Sequence, residues 1–174
     1  MYKTLFLSLL STLFIGCSSN SALTHFNKEE IATRAMQHTK KTDLIYKKEI
    51  KVILWATYLN NIDSKKFNLD NETFLVSVYF ADSKVQDINK KNYRFTLTEK
   101  KSNNENEEVT IINTNPISIK EIRKDNKIYK DILGNNGWGK YYLLEFKEQK
   151  KKYKLNLKLE NPKTTSVQLN FEKS

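Results

Sequence analysis

Few side chains in this sequence are equipped for covalent or acid–base chemistry. There is one cysteine, Cys17, and there are two histidines, His25 and His38. A Cys/His metal site needs a second such ligand a few residues away, and neither histidine has one at three or four residues. Only these two could act as the base of a nucleophilic triad, and both precede the segments that read as strands. Carboxylates are scattered, as at Asp63, Asp70, Glu72, Asp82 and Asp87. Asp70-Asn71-Glu72 offers oxygen ligands, yet the chain has no Asp-x-Asp-x-Asp-Gly loop. The expectation is a chain with no catalytic residue, no metal site and no cofactor.

Recognition has better candidates. Three of the four glycines fall in Gly134-Asn135-Asn136-Gly137-Trp138-Gly139. Glycine admits backbone angles that other residues avoid, so this reads as a tight loop carrying one aromatic ring. It is not a phosphate loop, because it lacks the Lys-Ser/Thr ending and the strand-to-helix setting. Trp138 is either an exposed platform for a sugar or peptide or a plug over the end of the domain, and burial statistics for Trp favour the plug. The second candidate is basic surface. The net charge is +10, carried by 27 Lys and only 3 Arg. Readers of nucleic acid favour Arg for bidentate contacts, and no Arg cluster exists, so nucleic acid is not an expected partner. Anionic headgroups or glycans suit the runs Lys120–Lys130 and Lys147–Lys154 better, with Lys150, Lys151 and Lys152 at the centre of the second.

The N-terminus points to where such a surface would work. Met1-Tyr2-Lys3-Thr4 leads into an apolar run, Leu5 to Ile15, broken only by Ser8, Ser11 and Thr12. A spanning helix needs about 20 apolar residues, so this shorter run reads as an export signal. It stops at Gly16-Cys17 and passes into Ser18-Ser19-Asn20-Ser21. This segment resembles the lipobox of bacterial lipoproteins, in which a small residue precedes an invariant cysteine. The resemblance implies cleavage after residue 16, lipid on Cys17 and acylation of the new amine. Two or three acyl chains anchor a protein stably where one does not. Ser18 stands where an inner-membrane retention signal of the enterobacterial type carries Asp, which implies the outer membrane, facing the periplasm.

The elements that must position these residues follow from periodicity. Residues 17–26 read as a lipidated cysteine and polar tether, and 27–174 as a single domain. Asn27, with Glu30 three residues on, reads as a helix cap, and the helix is expected over about 27–42. Beyond Tyr46 the period becomes two. Ile50 to Leu59 is apolar on both faces and reads as an interior strand. Asn60-Asn61-Ile62-Asp63-Ser64 reads as a loop. Further strands are expected around Phe74–Phe80, Tyr93–Leu97, Val109–Ile112, Ile117–Ile122, Tyr141–Phe146, Tyr153–Leu159 and Val167–Phe171, with Pro116 as an interruption. Trp55, Phe74, Val78, Phe95, Leu143, Leu155, Leu157 and Leu169 are the expected inward residues.

Seven or eight short strands at these spacings predict a mainly β chain. The form expected is an antiparallel β-sandwich, immunoglobulin-like, with one N-terminal helix. The function expected is a lipid-anchored envelope protein, a non-catalytic module that holds an envelope protein or anionic glycan near the membrane. The alternative is an envelope hydrolase acting on glycan or peptide through paired carboxylates.

Overall fold

Alternation of apolar and polar residues builds two facing antiparallel sheets. The computed structural model describes residues 30–67, 69–81, 84, 86–103, 108–133, 139–149, 154–163 and 165–173. A helix, α1, covers 30–37. It is followed by β1 (Thr39–Tyr46), β2 (Glu49–Tyr58), a second helix α2 (Asn60–Phe67) and β3 (Glu72–Phe80). Then come β4 (Arg94–Asn103), β5 (Glu108–Thr114), β6 (Ser118–Ile122), β7 (Lys140–Phe146), β8 (Lys154–Glu160) and β9 (Ser166–Glu172). One sheet has the order β1-β2-β3-β7-β6 and the other β5-β4-β8-β9. The chain changes sheets between β3 and β4, β5 and β6, and β7 and β8. At the second change it passes from an edge strand of one sheet to an edge strand of the other through Asn115-Pro116-Ile117, where the missing N–H of proline has no ladder to serve.

The inner faces meet in one apolar layer. Val52, Leu54, Ala56 and Tyr58 of β2, Phe74, Val76, Val78 and Phe80 of β3, and Tyr142, Leu144 and Phe146 of β7 face the second sheet. That sheet supplies Phe95, Leu97, Leu155, Leu157, Leu159, Leu169 and Phe171. Two residues expected inward point the other way. Leu143 is buried in a separate cluster on the outer face of the five-stranded sheet, and Trp55 is half-buried on that same face. The outer face is also covered, by α1, by α2 and by Tyr129, Ile132 and Leu133. Both faces of β2, β3 and β7 therefore carry large apolar residues, and alternation alone does not say which set is inward.

Two local expectations are corrected. The first helix ends at 37, and residues up to Thr42 belong to β1. Pairing of β1 with β2 from Thr39↔Thr57 to Tyr46↔Glu49 satisfies this backbone and places Leu44 in the core at 1% exposure. Residues 27–29, the expected helix cap, lie outside the described residues. The Asn-rich stretch at 60–64 is helical rather than a loop. Asn60 accepts from Thr73 N at 2.8 Å and donates to Asn71 O at 2.8 Å, which ties the start of α2 to the start of β3. Asp63 breaks the helix with an extended backbone (φ −162°) and its Oδ1 accepts from Lys66 N at 2.8 Å, capping the second turn.

The β1–β2 hairpin turns on two residues, Lys47 (φ 51°) and Lys48 (φ 67°), both in the left-handed region. A two-residue hairpin of this kind favours Asn-Gly, and an ordinary side chain there costs about 1 kcal/mol per residue. Lys47 recovers part of that by lying 5.4 Å from the Tyr46 ring centroid. Replacing the pair (Lys47→Asn with Lys48→Gly) is expected to raise stability by about 1 kcal/mol. A shift of the urea midpoint to higher concentration at constant m checks this, and a lower midpoint would contradict it.

Candidate functional site

The outer face of the five-stranded sheet carries a walled groove. Register sets its floor. Lys41, Trp55, Ser77 and Tyr141 stand in one row across β1, β2, β3 and β7, and Thr39, Thr57, Leu75 and Leu143 stand in the next. Ala32, Ala35 and Met36 of α1 form one wall, and Asp131, Ile132 and Leu133 form the other. The groove is open on one side and its volume is about 520 Å³, within the range of small-molecule sites.

Specific contacts hold the walls. Thr39 Oγ1 donates to Ala35 O at 2.6 Å, closing the end of α1 onto the sheet. That bond uses the Thr39 proton, so Thr57 donates in the 2.6 Å hydrogen bond between the two hydroxyls. Arg34 Nη1 reaches Ile62 O at 3.3 Å and links α1 to α2. On the opposite side Tyr129 stacks on Phe67, with centroids 5.6 Å apart and planes at 12°. Lys66 lies 3.7 Å from Asp131, and the turn at 129–133 closes with Ile132 N and Leu133 N donating to Tyr129 O.

The floor is apolar and uncharged apart from its hydroxyls. Lys41 lies at the margin, its ammonium 5.5 Å from the Trp55 ring centroid and 3.5 Å from Asp43 Oδ1. Burial pushes the Tyr141 hydroxyl above its ordinary value of 10.0, so it remains a neutral phenol near pH 7. Ser77 is 4% exposed, and its Oγ has no hydrogen-bond partner. Beside it, the backbone of Gly139 runs so close that a Cβ there would lie 2.7 Å from Val78 O and 3.0 Å from Ser77 Oγ. Of the glycines in the sequence's Gly-rich loop, Gly139 thus serves close approach of strand to strand.

The residues singled out from sequence fall elsewhere. Cys17, Trp138, Lys150, Lys151 and Lys152 lie outside the described residues, as does His25. His38 is half-buried at the end of α1, with its Nδ1 3.4 Å from Asn61 Nδ2. In the first basic run Lys120, Lys124, Lys127 and Lys130 are exposed. Their neighbours include the ion pairs Arg123–Asp125 at 3.0 Å and Lys140–Glu121 at 2.8 Å. Glu72 is no calcium ligand here. It is 1% exposed, and both of its oxygens accept hydrogen bonds from within the fold. Among the described residues no three His, Cys, Asp or Glu side chains are grouped so as to hold a metal ion.

Trp55, Ser77 and Tyr141 were not read as site residues in the sequence. The available signal was Ser77, the one small polar residue within Phe74-Leu75-Val76-Ser77-Val78-Tyr79-Phe80. Apolar residues on both faces of that strand already required a covering element, and a lone hydroxyl among them is the one small polar group that segment places beneath the cover. No protein-family model, curated protein or solved structure matches the chain.

Proposed function

We propose that this chain is a lipid-anchored protein of a bacterial envelope whose sandwich is an immunoglobulin-like, non-catalytic binding module. The strand order supports the fold assignment: β2-β3-β7-β6 facing β5-β4-β8-β9 follows the A-B-E-D and C′-C-F-G order of immunoglobulin-like sheets, with β1 added beside the first strand. The observation that carries the binding assignment is the walled apolar groove, with Trp55, Leu75 and Tyr141 on its floor. Among the described residues no helix is long and apolar enough to cross a membrane. In this reading attachment comes from acyl chains on Cys17, with the outer membrane as destination. An envelope protein or an anionic glycan is the partner proposed for the exposed lysines of 120–130 and for Lys150, Lys151 and Lys152.

Replacing the cysteine (Cys17→Ala) tests the anchor. The variant is expected to lose incorporation of labelled fatty acid completely and to move from the membrane fraction to the soluble one. A variant that still pellets after a high-salt wash overturns the lipid anchor. One that leaves the membrane only with salt assigns the residual attachment to the lysine surface, because exposed charges are screened beyond about 10 Å at 0.1 M salt.

A further inference from the structure

We infer that the groove takes one small, uncharged, largely apolar molecule that lies against Trp55, Leu75 and Tyr141 and hydrogen-bonds to Ser77. The inference rests on the reading of the groove as the module's binding site and adds the class of ligand.

Four observations select that class. The volume of about 520 Å³ suits a single small molecule rather than a protein segment of any length. Each charge beside the groove already has an opposite charge within 4 Å, Lys41 with Asp43 at 3.5 Å and Asp131 with Lys66 at 3.7 Å, although Asp43 Oδ1 takes no hydrogen bond. An ionic ligand would have to compete with those pairs and then lose its hydration over an apolar floor. Of the four floor strands only β1 is an edge, and β2, β3 and β7, which carry Trp55, Leu75, Ser77 and Tyr141, are each hydrogen-bonded to a neighbour on both sides. A peptide lying there would find no backbone partner for its own N–H and C=O groups, whereas peptide recognition on sheets uses a free edge. Finally, the Thr39 and Thr57 protons are both spent, the first on Ala35 O and the second on Thr39.

Ser77 is the remaining handle. A buried hydroxyl without a partner is rare in folded proteins and costs stability. Its Oγ is closed to solvent beside Gly139. A turn about the single χ1 bond breaks no existing hydrogen bond and directs the hydroxyl toward a ligand on the floor. An apolar molecule with one donor or acceptor satisfies the Ser77 hydroxyl.

N-phenyl-1-naphthylamine is a suitable probe, being neutral, apolar, equipped with one N–H and fluorescent when removed from water. The titration uses the full chain carrying Cys17→Ala and Trp138→Phe, so that no detergent competes and Trp55 is the sole indole. Saturable one-to-one binding with energy transfer from Trp55 is expected. Ala32→Trp, which fills the groove from the α1 wall, should weaken binding at least ten-fold. Ser77→Ala should weaken it about five-fold while the melting temperature stays level or rises, since the variant removes an unpaired buried hydroxyl. A merely structural serine would not separate the two readouts. Unchanged binding in Ala32→Trp overturns the location, and unchanged binding in Ser77→Ala overturns the hydrogen bond. A photo-crosslinker in place of Met36, which is 70% exposed at the groove wall, provides the other arm. Failure of the probe together with a protein adduct at position 36 overturns the small-molecule class and keeps the binding module. Failure of both overturns both.

Discussion

Replacing Glu72 with Ala is expected to destabilise the domain by about 3–5 kcal/mol, although the residue touches no site. Its carboxylate sits at the start of β3 at 1% exposure. Oε2 accepts from the Tyr58 hydroxyl at 2.5 Å, while Oε1 accepts from Gln149 N at 2.8 Å and from Lys173 Nζ at 2.6 Å. Lys173 also donates to Gln149 O at 2.9 Å. One buried group thereby ties the end of β2, the segment after β7 and the segment after β9. Truncation leaves a buried N–H and a phenol without partners and frees an ammonium that is only 23% exposed. Glu72→Gln preserves the shape and some of the hydrogen bonds, and about 1–2 kcal/mol is expected for it. Urea midpoints for the two variants check the order, and a cost below about 1 kcal/mol for Glu72→Ala would contradict the clasp.

The same cluster fixes an alkaline limit. Burial first, then the hydrogen bond to Glu72 and its charge, push the Tyr58 hydroxyl far above its ordinary 10.0. Burial also raises Tyr129, Tyr141 and Tyr142. Above pH 10 the unfolded chain releases these protons and the folded chain keeps them, so the unfolded state binds fewer and stability falls as pH rises. Below pH 10 this contribution is fully present. Tyr58→Phe should reduce the slope of stability between pH 10 and 11 by about 1 kcal/mol per pH unit. The slope is the informative quantity, because the substitution also removes a donor from Glu72 and lowers stability at every pH.

These contacts show what a sequence can and cannot convey. Strands β8 and β9 were legible because each alternates apolar and polar residues over seven positions, and β3 and β7 because each is an apolar run of strand length with large residues on both faces. The reading of β2 as an interior strand also followed from its two apolar faces, and it lies between β1 and β3. The first strand was not legible. Thr39–Tyr46 is a lysine-bearing edge with Leu44 as its one fully buried residue, and edge strands carry charge to discourage further pairing. Without alternation it read as the end of the preceding helix. The second helix was hidden by its Asn, Asp and Ser content, which marks turns wherever no tertiary contact overrides it. Here Ile62 and Phe67 supply that contact by packing into the outer cluster. The groove draws on α1, four strands and the segment at 131–133, spread from Ala32 to Tyr141. No local window contains it, and its pairs exist only once strand register is known.

Truncating Phe74 to Ala is expected to cost about 3–5 kcal/mol and to lower the melting temperature by roughly 6–20 °C for a domain of this size. Phe74 is completely buried and sits at the meeting point of both sheets. Its ring lies 5.0 Å from Tyr58, 5.2 Å from Phe171 and 6.0 Å from Phe146, the last two edge-on. Such pairs add about 0.5–1.5 kcal/mol beyond the area they bury. The cavity left by Ala would be lined by aromatic rings on β2, β7 and β9, which cannot collapse into it without shifting both sheets against each other. Trp55 is the instructive comparison. It is larger, yet it is half-buried on the outer face, where one side of its ring borders the groove. Trp55→Ala is expected to cost only about 1–2 kcal/mol, the value for partial burial without an enclosed cavity. It should also abolish binding of the naphthylamine probe, whereas Phe74→Ala should weaken binding only as far as it unfolds the protein. Equal losses of stability in the two variants would show that the inner and outer faces of the five-stranded sheet are assigned the wrong way round, and the groove would then have no floor.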